Sequence, residues 1–251
     1  MKLKEKVAIV TASAGAGIGQ ATARRMAKEG ASIVISDTHE RRIRETTESL
    51  KSEGHDAIGI VCDVSQWDQI QSMVQQTLDH YGRIDILVNN AARELLAPIV
   101  DMTEENWDIV MNVSLKGTFL CTKAVLPTMI SQKSGSIINI SSIAGYIGSP
   151  MGESAYCSAK AGVMAFTRVA ASEMASHGIR VNCIAPGFVP NPFLERIYTP
   201  EMLDSLSKMS PLGRGAKPDE MASIAAFLAS DDASYITGEV VNASGGAYWR
   251  P

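Results

Sequence analysis

With 251 residues, 45% of them apolar, the chain is long enough to bury a substantial core, and a disordered chain is excluded. Lysine and arginine number 23 against 27 aspartate and glutamate, a net charge of −4 without long runs of either sign, which argues against nucleic acid or an anionic membrane as a partner. Cys62, Cys121, Cys157 and Cys183 lie far apart and His39, His55, His80 and His177 do not cluster, so no metal site is expected, and free thiols in a reducing, cytoplasmic compartment are.

Met1 to Lys4 run straight into a β-branched stretch with no signal-peptide core, and no apolar run is expected to cross a membrane. Strands are expected over 7–10, 32–36, 57–62, 84–88, 136–140, 180–184 and 239–242, separated by longer amphipathic segments. This alternation predicts βαβ units, hence an α/β fold with one doubly wound domain on a parallel sheet of seven strands. Ser65 is placed to cap a helix over 66–80, Thr103 with Asn106 opens a long helix to about 130, and Pro218 sits in the first turn of 219–229. No Pro/Gly/Ser-rich break divides the series. One irregular stretch, 186–215, interrupts the alternation, and about 188–215 of it is a candidate substrate lid.

After the first strand comes Thr11-Ala12-Ser13-Ala14-Gly15-Ala16-Gly17-Ile18-Gly19, then a helical segment over 20–28. Glycines at a strand-to-helix junction let backbone N–H groups approach a pyrophosphate at the positive end of the helix. The spacing is GxGxG, so a tight turn explains it equally well by itself. Asp37 ends the second strand about 20 residues further on, where an acid can accept from an adenosine ribose; the other reading of Asp37 is a cap for the helix from His39. A 2′-phosphate beside Asp37 would meet like charge, so NAD is expected over NADP, with Arg41 and Arg42 turned to solvent.

Tyr156 and Lys160 are four residues apart at the start of a helical segment, on one face and one turn from each other. Oxidising an alcohol needs a base for the hydroxyl proton, and a phenol with a pKa of about 10 must be lowered to serve. A cation about 4 Å away supplies roughly the 3–4 kcal/mol required at an effective dielectric near 20. Ser142 follows the fifth strand, where its hydroxyl can hold the substrate oxygen beside the phenol. Taken alone, YxxxK also describes a half-buried tyrosine with a surface lysine.

As an ordered set with Cys62-Asp63-Val64, Asn89-Asn90-Ala91-Ala92, Ile140-Ser141-Ser142, Pro186-Gly187 and Tyr235-Ile236-Thr237-Gly238, these residues resemble the short-chain dehydrogenase/reductase family from 6 to 246. The resemblance implies a Rossmann-like sheet with helices on both faces and a pyrophosphate turn through Ser13, Gly15, Gly17, Ile18 and Gly19. It implies Asp63 and Val64 near adenine and Asn90 and Ala91 along the adenosine side. Lys160 would contact the nicotinamide ribose, and Pro186, Gly187 and Val189 would border the nicotinamide. The family assembles as homodimers or homotetramers through its two long helices.

The chain departs from the family pattern in several places. The glycine loop is one residue longer than TGxxxGIG, and Ala12 stands at its first glycine. Ala92 replaces the last glycine of the NNAG element. Ser114 replaces an asparagine that holds a water in a proton relay to the lysine, so the relay is expected to be altered or carried by Ser114. Asn191 occupies the place of a threonine after Pro-Gly, with an amide free to donate to the cofactor. The loop from Ser142 to Tyr156 is one residue longer, and with Met151 and Glu153 it is expected to shape the substrate pocket. Met202, Leu203, Leu206 and Met209 have helical spacing, read either as a helix packed on the body or as a movable apolar lid.

These readings converge on an NAD(H)-dependent oxidoreductase interconverting a secondary alcohol and a ketone, with a small molecule as partner. The alternatives are a 3-oxoacyl-thioester reductase using NADP(H) and a non-catalytic dinucleotide-binding regulatory protein.

Overall fold

The computed structural model describes residues 1–148 and 150–249. Seven parallel strands form one sheet: β1 (Val7–Thr11), β2 (Ser32–Asp37), β3 (Ala57–Val61), β4 (Ile86–Asn89), β5 (Gly135–Ile140), β6 (Ile179–Pro186) and β7 (Val240–Ala243). Their spatial order is β3-β2-β1-β4-β5-β6-β7. Ile9, Val34, Leu87 and Val181 are wholly buried, because helices cover both faces and leave no solvated side for polar alternation. Alternate residues serve opposite cores. Ala8 and Val10 face Ala23 and Met26 of α1 (Ile18–Lys28), Ile43 and Leu50 of α2 (Glu40–Ser52) and, beyond the middle strands, the last long helix. Val7 and Ile9 belong to the other core, with Ile70 and Met73 of α3 (Trp67–Tyr81) and with the two long helices described next.

The middle helix begins with α4 (Glu104–Met111), where the Thr103 hydroxyl accepts from the Asn106 N–H at 3.1 Å as its cap. It passes through a π-helical turn, Asn112–Lys116, and continues as α5 (Gly117–Gln132). By length and composition this 104–132 stretch is apolar enough to cross a membrane, contrary to expectation. In the fold its apolar side is core: Cys121, Val125 and Met129 are buried against the sheet. The second long helix is α6 (Ser154–Met174). α7 (Pro200–Lys208) and α8 (Pro218–Ala229) complete the chain, with Met221 and Ala225 of α8 in the first core and Pro218 in its first turn as expected.

Two local expectations fail. Ser65 does not cap α3; its backbone and side chain both bond Asp63 Oδ1, and Gln66 precedes the helix without a side-chain cap. The 186–215 stretch is not irregular throughout, since Thr199 caps α7 by accepting from Met202 N–H at 3.3 Å.

From β1 the chain builds outward one way to β2 and β3 and the other way to β4 through β7. Loops at the carboxyl ends of β1 and β4 therefore diverge and leave a crevice there, the position at which such sheets bind ligands.

Candidate active site

The glycine loop is pinned to that crevice by neighbouring backbone. Asn90 donates its amide to the carbonyls of Thr11 and Ala12 at 3.0 and 3.1 Å, and the Thr11 hydroxyl accepts from the N–H groups of Asn90 and Ala91 at 2.9 and 3.0 Å. Gly19 must be glycine for this packing: a Cβ there would lie 2.4 Å from the Ala12 carbonyl oxygen and 2.5 Å from Asn90 Nδ2. Gly17 precedes α1 at φ 132°, with open space at its missing Cβ and no side chain capping the helix, so the first-turn N–H groups remain available to an anion. These features fit the pyrophosphate of a dinucleotide. Ala12, at the place of a glycine, is held at a left-handed φ of 49°. Ser13 differs from expectation. It is fully buried, and its hydroxyl donates to the Val10 carbonyl at 2.7 Å and accepts from Ser36 N–H at 3.2 Å, so it braces the loop and offers no side chain to a cofactor.

At the other end of the crevice, α6 presents Tyr156 and Lys160 one turn apart, with the ammonium 5.5 Å from the ring centroid. Lys160 is 2% exposed and donates to the Ile140 carbonyl at 2.7 Å, while Ser141 ties down the Lys160 carbonyl at 2.7 Å. Burial pulls the Lys160 ammonium down to about 8. The Tyr156 phenol is pushed above its ordinary range by burial and then by the Glu94 carboxyl, against a hydrogen bond from Ser142. The lowering expected from Lys160 is not found in the protein alone, where burial and Glu94 raise the phenol and the hydrogen bond from Ser142 opposes them, so Tyr156 holds its proton. Ser142 stands beside it, oriented by accepting from Ala144 N–H at 3.1 Å. Tyr156, Lys160, Ser142, Asn90, Ile18, Pro186, Gly187 and Val189 line one cleft of about 590 Å³.

Residues 12–248 match the family model described as enoyl-(acyl carrier protein) reductase. The chain belongs to the short-chain dehydrogenase/reductase family. It is similar to the hydroxy(phenyl)methylsuccinyl-CoA dehydrogenase subunit BbsD of Thauera aromatica, 42% identical over 98% of each chain. It is also similar to the 3-oxoacyl-(acyl-carrier-protein) reductase FabG of Thermotoga maritima, 43% identical over 98% of this chain and 99% of that one. The crystal structure of gox2181 superposes with a TM-score of 0.95 at 37% identity, covering 98% of this chain and 96% of the other.

In this short-chain dehydrogenase/reductase the adenosine end differs from the sequence expectation. Asp37 Oδ1 accepts from the N–H groups of Thr38 and His39 at 2.8 and 3.3 Å, so the acid does shape the approach to α2. Its Oδ2 takes no hydrogen bond among the described residues. Arg41 turns outward to Glu45 as expected. Arg42 does not: its guanidinium lies 3.9 Å from Asp37 and 5.4 Å from the Phe193 ring centroid, over Gly15. Packing decided this, because the guanidinium is drawn over the face of the Phe193 ring.

Other expected residues are only partly free. Asp63 Oδ1 is taken by Ser65, Val64 packs beneath Gly117, and Asn191 shapes its own loop by donating to the Val189 carbonyl at 3.2 Å and accepting from Phe193 N–H at 3.0 Å. Ser114 is fully buried in the π-helical turn. No residue of α7 is buried, and its Met202 and Leu206, with Met209, look into the cleft.

The sequence reading missed Glu94 and Tyr198. Tyr198, from the 188–215 segment, is bonded at 2.7 Å to both Glu94 and Glu153 in the cleft wall. Glu94 lies on a loop without periodicity or motif, and nothing local marks it.

Proposed function

We propose that the chain interconverts the 3-oxo and 3-hydroxy forms of an acyl thioester, with NAD(H) as its preferred dinucleotide. The observation that carries this reading is the single cleft in which Ser142, Tyr156 and Lys160 meet an apolar wall of Met202, Leu206 and Met209. That wall suits an acyl chain, and both relatives named above bear thioester carriers in their names. Gly17, Gly19 and the α1 amino terminus would hold the pyrophosphate, and the free oxygen of Asp37 would accept from the adenosine ribose. Lys160 would bond the nicotinamide ribose, and Pro186, Gly187 and Val189 would border the ring. When bound, the dinucleotide supplies or accepts the hydride. Ser142 holds the substrate oxygen, and Tyr156, protonated at rest, donates its proton to that oxygen in reduction and recovers it in oxidation. The segment over about 188–215 acts as a lid, its apolar face meeting substrate.

The proposal includes a homodimer or homotetramer, supported by exposed Phe119 and Val169 on the two long helices, where Phe119 meets Phe166 edge-on at 6.0 Å. Sedimentation of the purified chain tests it, and a monomer at micromolar concentration rejects it. A reducing, cytoplasmic setting is supported by Cys62, Cys121 and Cys183, all free and buried.

The central test follows absorbance of the reduced dinucleotide over 3-oxoacyl thioesters, hydroxysteroids, polyols and simple secondary alcohols, with Tyr156→Phe in parallel. Thioesters should give the highest kcat/KM with NAD(H), and the variant should be nearly inactive. A better polyol or steroid, or turnover indifferent to the tyrosine, rejects the reading.

A further inference from the structure

Ser114 cannot be the group that returns protons to Tyr156. Its hydroxyl accepts from the Arg93 N–H and donates to the Arg93 carbonyl, so its one proton is committed. A buried tyrosine that gives up a proton at each turnover still needs a partner that exchanges with solvent. The carboxyl pair in the same cleft wall has that capacity.

Glu94 and Glu153 are brought together by two loops that are zipped backbone to backbone. Ala97 N–H donates to the Gly152 carbonyl at 3.0 Å, and Ala97 forms a parallel bridge with Glu153. The approach is close enough that a Cβ on Gly152, itself at φ 83°, would stand 2.9 Å from the Ala97 backbone. Each of the two carboxyl groups is 2.7 Å from the same Tyr198 hydroxyl. Tyr198 has a single proton and can donate to one of them only. The remaining 2.7 Å contact needs a proton on a carboxyl, because two carboxylates sharing one hydroxyl in a buried wall do not both ionise.

Resting on the oxidoreductase reading above, we propose that Glu94 and Glu153 together form the proton-exchange pair of Tyr156, in place of Ser114. In reduction the phenol O–H bond breaks as the substrate alcohol O–H forms, while the hydride that a bound reduced dinucleotide would supply goes to the carbonyl carbon. Glu94, Glu153 and Tyr156 line the same cleft, so water there connects them: the phenol O–H is restored with a proton from that water, the carboxyl O–H of the pair breaks to replace it, and solvent returns a proton to the pair. Oxidation runs the same transfers backwards. The titratable groups facing Glu94 are Glu153, Tyr156, Cys157 and Lys160 on α6 and its leading turn, and Tyr198 from the lid segment. Burial first, and the neighbouring Glu153 carboxyl, raise the Glu94 carboxyl toward neutrality against the hydrogen bond from Tyr198, which suits exchange at physiological pH.

The test combines infrared titration of the whole protein with pH profiles of kcat. Wild-type chain should show a carboxylic-acid C=O band that persists above pH 6 and titrates near neutrality, absent in Glu94→Gln/Glu153→Gln. That variant should lose ~10-fold or more of kcat in both directions, with little change in KM, and lose the near-neutral inflection of the profile. Glu94→Asp should recover part of kcat and restore an inflection, which a purely structural role would not. If the wild type turns over and the double variant keeps its kcat and profile, the pair is not the exchange group. A missing acid band in a folded wild type rejects it independently of activity. A wild type without turnover on any substrate instead overturns the oxidoreductase reading, and the exchange role with it.

Discussion

The Ser114 hydroxyl is bonded twice to one residue, accepting from the Arg93 N–H at 2.9 Å and donating to the Arg93 carbonyl at 3.2 Å. This ties the π-helical turn of the middle helix to the loop that carries Glu94. Removing the hydroxyl strands two backbone groups at a buried contact, at a cost of about 1–3 kcal/mol. Ser114→Ala should therefore lower Tm by about 2–10 °C, read by calorimetry. It should also disturb kcat through the displaced Glu94 loop.

Asp37 and Arg42 oppose each other across the adenosine end. Asp37→Ala removes the repulsion of a 2′-phosphate and leaves the Arg42 guanidinium free to meet it. NADP(H) kcat/KM should rise by on the order of 10- to 100-fold. In Asp37→Ala/Arg42→Ala the gain should be much smaller. An equal gain in both variants would remove Arg42 from the account.

The glycine loop yields a pair of opposite predictions. Ala12 at φ 49° carries a left-handed strain of roughly 1–2 kcal/mol, part of which the greater unfolded freedom of glycine offsets. Ala12→Gly should raise Tm by about 1–4 °C. Gly19→Ala drives a methyl into the Ala12 carbonyl and Asn90, so it should abolish NADH binding, measured by fluorescence titration.

Lys160 makes stability depend on pH in an unusual direction. Its folded pKa of about 8 lies below its ordinary 10.5, so between those values the unfolded chain binds more protons and stability rises with pH. Below pH 8 the buried ammonium is a standing cost. Denaturant titrations should show wild-type stability climbing from pH 8 to 10.5, and Lys160→Met should flatten that climb while abolishing turnover.

Tyr156→Phe should lower kcat by ~10²–10⁴ and leave dinucleotide affinity intact, since the phenol acts only on the proton. Measured side by side, stopped-flow turnover and NADH binding separate the two effects. Loss of binding along with turnover would mean the ring also supports the cofactor cleft.

Much of this was legible along the chain because it is local. The seven strands lie within about two residues of their expected positions, since strands buried on both faces must be apolar runs and such runs are visible one at a time. Thr103 and Pro218 mark helix starts through contacts spanning three residues or fewer. The Tyr156 and Lys160 spacing needed only the helical period. Ser65 misled because serine competes for local turns as readily as it caps helices, and Asp63 was nearer than the helix.

What the sequence by itself determined is the sheet, its glycine turn, and the placing of Tyr156, Lys160 and Ser142 at helix and strand ends, all of which follow from backbone periodicity and neighbours close in the chain. The tertiary structure alone decided that Arg42 folds inward, that Ser114 is spent on Arg93, and that Tyr198 joins Glu94 to Glu153 across 104 and 45 residues of sequence. The physical reason is range. Hydrogen bonds and burial act over a few ångströms of space, and loops carry no period from which those ångströms can be read.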